Sequence, residues 1–149
     1  MAQSVTPLII NNESVVTDVK FEVRAPATGE LSGFCASASV EDAVRAVDAA
    51  KAAFPAWSKM KAYDRRDILL KAAEIMESRK EELIQYQREE TGAGRPFTEV
   101  TFNAGVTFIK DFAARIPTIE GVVPNVSVDG EGAMVYKEPY GVILGIAPW

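Results

Sequence analysis

The run Val142-Ile-Leu-Gly-Ile-Ala147, close to the carboxy-terminal end, constrains the fold more than any other stretch. It is almost unbroken in its apolar character, carries β-branched residues, is punctuated by Gly145 and is closed by Pro148. A strand with one wet face alternates apolar and polar residues. A run that is greasy on both sides predicts a strand covered on both faces, as in parallel sheets. Such a strand needs parallel neighbours. The earlier chain offers few segments of that kind and nothing follows Trp149, so the expectation is an incomplete sheet, a fragment completed by sequence beyond this chain.

Composition narrows the function classes. With 149 residues the chain is long enough for one domain, and 48% apolar with 25% charged residues is ordinary for a soluble globular protein. No segment approaches the roughly 18 apolar residues of a membrane span. The opening Met1 to Asn12 lacks a basic region ahead of its apolar residues, so no signal peptide is expected and a cytoplasmic location is the default. A net charge of −5, with Arg65-Arg66 and Arg79-Lys80 interleaved among acids, argues against a phosphate-tracking surface and hence against nucleic acid. Cys35 is the sole cysteine and histidine is absent. That removes intrachain disulfides, thiolate metal clusters, imidazole metal sites and Ser-His or Cys-His nucleophiles.

Along the chain, Leu8 to Val16 and Val19 to Arg24 read as short strands, followed by a loop Ala25 to Glu30 in which Gly29 supplies a positive φ. Leu31 to Ala36 reads as a further short strand. Ser39 with Asp42 forms a capping box opening a helix whose apolar stripe is Val40, Ala43, Val44, Val47, Ala50 and Phe54, ending at Pro55. A second helix starts near Tyr63 with Ile68, Leu69, Ala72, Ile75 and Met76 inward. Ser78 and Glu81 make another capping box, which predicts a break before a helix carrying Leu83, Ile84 and Tyr86 that stops near Gly92. Pro96 opens a fourth helix with Phe97, Val100, Ala104, Phe108 and Phe112 on the buried face, closed by Pro117. From Gly121 the period changes to two: Val126 and Val128, then Asp129 to Gly132, then Met134 and Tyr136 predict a hairpin.

Little of this carries chemistry. The neighbours of Cys35 offer no base or cation to activate a thiol, so it reads as a small buried hydrophobe. Glu81-Glu82 and Glu89-Glu90 are sequence neighbours that do not face each other on a helix, and read as a solvated surface. Gly92-Ala-Gly94 lacks the third glycine of a phosphate loop and fits a helix end. The phenylalanine stripe and Trp57 read as packing. The terminal run remains: in open α/β sheets ligands bind beyond the carboxyl ends of the strands, which places Ile146, Ala147, Pro148 and Trp149 where a dinucleotide would lie. The same pattern equally suits a buried structural strand.

Five segments in order then match something specific: Ala25-Pro-Ala-Thr-Gly-Glu30, Asp42 through Phe54-Pro-Ala-Trp57, Arg65-Arg66-Asp-Ile-Leu69, Glu90-Thr-Gly92, and Lys137-Glu-Pro-Tyr-Gly-Val-Ile143 running on to Ala147-Pro-Trp149. Together they resemble the amino-terminal third of the NAD(P)-dependent aldehyde dehydrogenases, with a flavour closest to members acting on aromatic aldehydes, such as salicylaldehyde or vanillin dehydrogenases.

The resemblance implies an α/β fold, the amino-terminal portion of a Rossmann-like NAD(P)-binding domain. Residues 1–122 would be its first strands and helices, 123–141 a hairpin used for oligomerisation, and 142–149 the first buried strand of the dinucleotide sheet, truncated. It implies NAD or NADP held largely by backbone at Ile146, Ala147, Pro148 and Trp149, a small aldehyde substrate, and a homo-oligomer, dimer or tetramer, in the full-length form. The implied reaction is attack of a cysteine thiolate on the aldehyde, hydride transfer to the nicotinamide and hydrolysis of the thioester. Cys35 matches the family's nucleophile in neither position nor context, so no catalytic residue carries over and this chain alone is expected to be inactive. The rival expectation is a non-catalytic helical oligomerisation or interaction module.

Overall fold

The computed structural model describes residues 5–147, and its regular elements run from Val5 to Thr118. Five short strands come first: β1 Val5–Thr6, β2 Leu8–Ile10, β3 Glu13–Val15, β4 Lys20–Arg24 and β5 Leu31–Ala36. Asn11 and Asn12 both take positive φ (53° and 63°), which splits the first expected strand into the β2–β3 hairpin by a two-residue turn of the kind that matches strand twist. β5 is the centre of the other sheet. It runs parallel to β1, with Val5 opposite Phe34 and Thr6 opposite Cys35, and antiparallel to β4, with Lys20 opposite Ala36. The β4–β5 connection closes as expected at Gly29 (φ 74°), whose N–H donates to the Ala25 carbonyl at 2.8 Å.

Four helices follow: α1 Val40–Lys59, α2 Ala62–Ser78, α3 Lys80–Thr91 and α4 Arg95–Arg115, with a 3-10 turn over Ile116–Thr118 that absorbs Pro117. The first capping box forms in both directions: the Asp42 N–H donates to Ser39 Oγ at 3.1 Å, and the Ser39 N–H donates to the Asp42 carboxylate at 3.0 Å. Pro55, expected to end α1, lies inside it. A proline removes one ladder bond, and the helix continues through Trp57 to Lys59, with the Ser58 hydroxyl donating to the Pro55 carbonyl. The break between α2 and α3 falls at Arg79, as expected, but without the Ser78–Glu81 box. Ser78 Oγ donates backward to the Ile75 carbonyl at 2.8 Å, and Arg79 pairs with Glu82 at 2.7 Å. Gly92 ends α3 in the left-handed region, φ 71°, its N–H donating to the Arg88 carbonyl.

The core lies among α2, α3 and α4: Ala73, Ile84, Phe102 and Val106 are buried, with Met76, Leu83 and Ile109 packed against them. On α4 the buried positions are Thr98, Phe102, Val106 and Ala113, so the expected inward stripe of Phe97, Val100, Phe108 and Phe112 faces outward. The helix carries two apolar stripes, and periodicity alone does not select between them. Thr98 is tolerated inside because its hydroxyl donates to the Arg95 carbonyl at 3.0 Å. On α2, Ile68 and Ile75 are likewise exposed, and Ala73 is the buried residue. Ion pairs stitch the outside, Arg95 to Glu81 at 2.9 Å and Lys110 to Glu77 at 2.8 Å.

The α/β class with small, incomplete sheets is what the chain adopts. Two further local expectations change. The hairpin is reduced to one antiparallel bridge, Val122 with Val135, closed by hydrogen bonds of 3.0 and 2.8 Å, while Val126 and Val128 are not in strands. Pro124 lacks an N–H to extend the ladder. The run Val142 to Ala147 takes no strand ladder among the described residues and is exposed, Leu144 and Ile146 each at 84%. A strand needs a neighbour, and among the described residues the run pairs with neither small sheet.

Candidate functional site

Of the residues expected at a dinucleotide, Ile146 and Ala147 are described, whereas Pro148 and Trp149 lie outside the described residues. Ile146 and Ala147 are exposed, and no backbone hydrogen bond among the described residues engages the segment 142–147. Its N–H and C=O groups are therefore available to a ligand or to a neighbouring strand, which fits a cofactor held by backbone. Gly141, with φ 98°, turns the chain into this run. The bend is one that a side chain would strain.

Immediately before the run, Glu138 and Pro139 border a cavity of about 570 Å³. Its walls come from three places: Trp57 and Ser58 at the end of α1, Ala62 and Arg65 at the start of α2, and Ile116, Pro117 and Ile119 beyond α4. The returning limb of the bridge, Tyr136 to Pro139, closes the fourth side. Trp57 was expected to pin one helix to the next, and it does stand at the α1–α2 junction, where the Met60 N–H donates to its carbonyl at 3.2 Å. Gly121 sets how closely the two limbs approach, since a Cβ there would collide with the Val135 carbonyl oxygen. Sequence reasoning missed this cavity. Its residues come from segments some 80 positions apart at their extremes, Trp57 and Pro139, brought together by the packing of α2 on the turn after α4 and by the Val122–Val135 bridge.

The other candidates separate cleanly. Cys35 sits on the central strand β5, half-buried and in no disulfide, beside Tyr86, Glu89 and Glu90 around a smaller cavity of about 100 Å³. Glu81 and Glu82 serve different cations, Arg95 and Arg79, and the bond from Arg79 holds the Glu82 carboxyl below the usual carboxylate range. These are surface pairs rather than an acid–base dyad. The Ser39 backbone N–H, followed by its hydroxyl, lowers Asp42 in the same way. Among the described residues no cluster of three or more acidic or thiol groups is placed to hold a metal, and no helix is long and apolar enough to cross a membrane.

Comparison with known proteins gives a consistent pattern. A family model described as the aldehyde dehydrogenase family matches residues 14–149. Vanillin dehydrogenase from Pseudomonas fluorescens is 40% identical over 145 residues, covering 96% of this chain and 30% of the relative. Among solved structures, a salicylaldehyde dehydrogenase from Pseudomonas putida G7, complexed with salicylaldehyde, superposes with a TM-score of 0.81 at 29% identity, covering 87% of this chain and 27% of that one. An NAD-dependent benzaldehyde dehydrogenase from Corynebacterium glutamicum shares the fold, TM-score 0.81 at 24% identity, covering 88% of this chain and 29% of its own. The chain spans about 30% of the length of the curated relatives it matches.

Proposed function

Because the chain belongs to the aldehyde dehydrogenase family, we propose that it forms part of an enzyme oxidising an aldehyde to a carboxylate with NAD or NADP. In this reading residues 1–122 are the first part of the cofactor domain, 123–141 are the oligomerisation hairpin of a homo-oligomer, and 142–149 are the opening strand of the dinucleotide sheet. Ile146, Ala147, Pro148 and Trp149 meet the dinucleotide. The observation that carries the reading is the family match over residues 14–149, which includes this entire terminal segment. The names of the vanillin and salicylaldehyde relatives favour an aromatic aldehyde, and the cytoplasm is the proposed location.

The dinucleotide supplies hydride acceptance when bound. The residues of this chain supply a platform: an apolar, backbone-exposed run that a flat ring system can cover, carried on the bend at Gly141. Cys35 has no part in the proposed chemistry: it stands on β5, and among the described residues lining the cavity beside it none is a cation. The test is oxidation of vanillin, salicylaldehyde and benzaldehyde with each dinucleotide by the protein that carries this segment, followed by nicotinamide absorbance. Ile146→Asp should raise KM for the dinucleotide by roughly tenfold or more with a smaller change in kcat. An unchanged KM, or no oxidation of any aldehyde, overturns the proposal.

A further inference from the structure

The acidic, glycine-rich turn Asp129-Gly-Glu-Gly132 holds the one place in this chain where an aspartate or asparagine is followed by glycine. The pairing has chemical consequences. The backbone nitrogen that follows an aspartate can close onto its side-chain carboxyl carbon, and a Cβ on that next residue is what ordinarily hinders the approach. Here the approach is open: Asp129 and Gly130 are both exposed, Gly130 takes φ 82°, and nothing stands within 4 Å of the position its Cβ would occupy. Among the described residues the Gly130 N–H makes no backbone hydrogen bond and the Asp129 carboxylate no ion pair. The turn is held by one long bond, from the Glu131 N–H to the Val128 carbonyl at 3.3 Å.

Elsewhere the fold shuts the same reaction off. Asp42, Asp48, Asp64, Asp67 and Asp111 lie in α1, α2 and α4, where the next N–H is committed to the helix. That of Ala43 donates to the Ser39 carbonyl and that of Arg65 to the Lys61 carbonyl, each at 3.1 Å. Asp18 lies in a bend outside the strands, but β-branched Val19 follows it. We propose that Asp129 is a site of spontaneous isomerisation to isoaspartate. The Gly130 nitrogen bonds to Cγ of Asp129, and one carboxyl oxygen leaves as water, taking the amide proton and one proton from solvent. The product is a five-membered imide. A second water then opens the ring, and the new carboxylate returns the borrowed proton as it ionises. Opening at the backbone carbonyl of Asp129 breaks its bond to the Gly130 nitrogen, so the chain runs on through the former side chain. Isoaspartate carries one additional backbone carbon, which lengthens the tip of the loop closed by the Val122–Val135 bridge.

The experiment is prolonged incubation of the full-length protein that carries this segment, in its native assembly at neutral pH, followed by peptide mapping. An endoproteinase that cuts before aspartate does not cut before isoaspartate, and electron-transfer fragmentation marks the isomer directly. A synthetic peptide of Val126 to Met134, incubated alongside, gives the rate with no fold present. Isoaspartate should accumulate at Asp129 within severalfold of the peptide's rate, and at least severalfold faster than at Asp18. Asp129→Glu should abolish the signal, because the corresponding ring is six-membered and closes far more slowly. Asp129→Asn should yield isoaspartate at least severalfold faster, because ammonia leaves an amide more readily than water leaves a carboxylate. Asp129 unmodified in the folded protein, equal accumulation at Asp18, or no acceleration in Asp129→Asn overturns the proposal. The readout needs neither dinucleotide nor aldehyde, so its failure and that of the dehydrogenase reading are separate results.

Discussion

The α2–α3–α4 trio and the segment from Gly121 to Ala147 are built from similar proportions of apolar residues, but they treat them in opposite ways. In the trio, Ile84 is 1% exposed and Phe102 sits among Ala73, Val106 and Leu83. In the segment, Val123, Tyr136, Ile143 and Leu144 all stand largely in solvent around one two-bond bridge. Helices satisfy their backbone internally, so three of them close a small core from residues near in sequence. Strands satisfy theirs only on neighbours, so a run without neighbours stays open however apolar it is. The difference is one of bonding partners rather than hydrophobicity.

The comparison breaks most readily in the core. Phe102→Ala should cost about 3–5 kcal/mol, read from urea melts of the helical circular dichroism, and a loss below 1 kcal/mol would mean that the trio is no better packed than the tail. Gly121→Ala, which drives a methyl into the Val135 carbonyl, should cost roughly 1–3 kcal/mol locally. Its signature is faster hydrogen exchange at the Val122 and Val135 amides with the trio's melt unmoved. Ser39→Ala removes the cap of α1 and should cost about 1 kcal/mol.

Acid sharpens the same point. Because the folded Asp42 carboxyl lies below its ordinary value of 3.8, its contribution is present above that pH and is lost as the pH falls through the folded value. α1 should therefore fray below about pH 4, with Asp42→Asn insensitive to the change. The smallest effect is expected at Leu144→Ser, within about 0.5 kcal/mol for the trio, together with better solubility at high concentration. A cooperative loss of helix there would show that the run is packed after all.

What the residues disclosed in advance follows the range of the forces involved. The Ser39–Asp42 box, the positive φ of Gly29, the stop at Gly92 and the break near Ser78 are local, and each was legible. The outward turn of Phe97, Phe108 and Phe112 was not, because it depends on which stripe of α4 the α2–α3 pair accepts. Pro55 misled because a single missing N–H is cheaper than ending a helix with Trp57 still to place. The family resemblance, carried by short motifs, was readable. The cavity beside Arg65 was not, since no local pattern announces that Trp57 and Glu138 will share a wall.

Gly92 has a reach beyond the helix it ends. A Cβ built there would come within 3.4 Å of the Pro26 ring, so the stop of α3 and the Ala25–Glu30 bend rest directly on one another. The strand layer and the helix layer are keyed together at that point. Lengthening either bend would wedge the layers apart, so insertions and deletions in these two distant loops should have to occur in matched pairs.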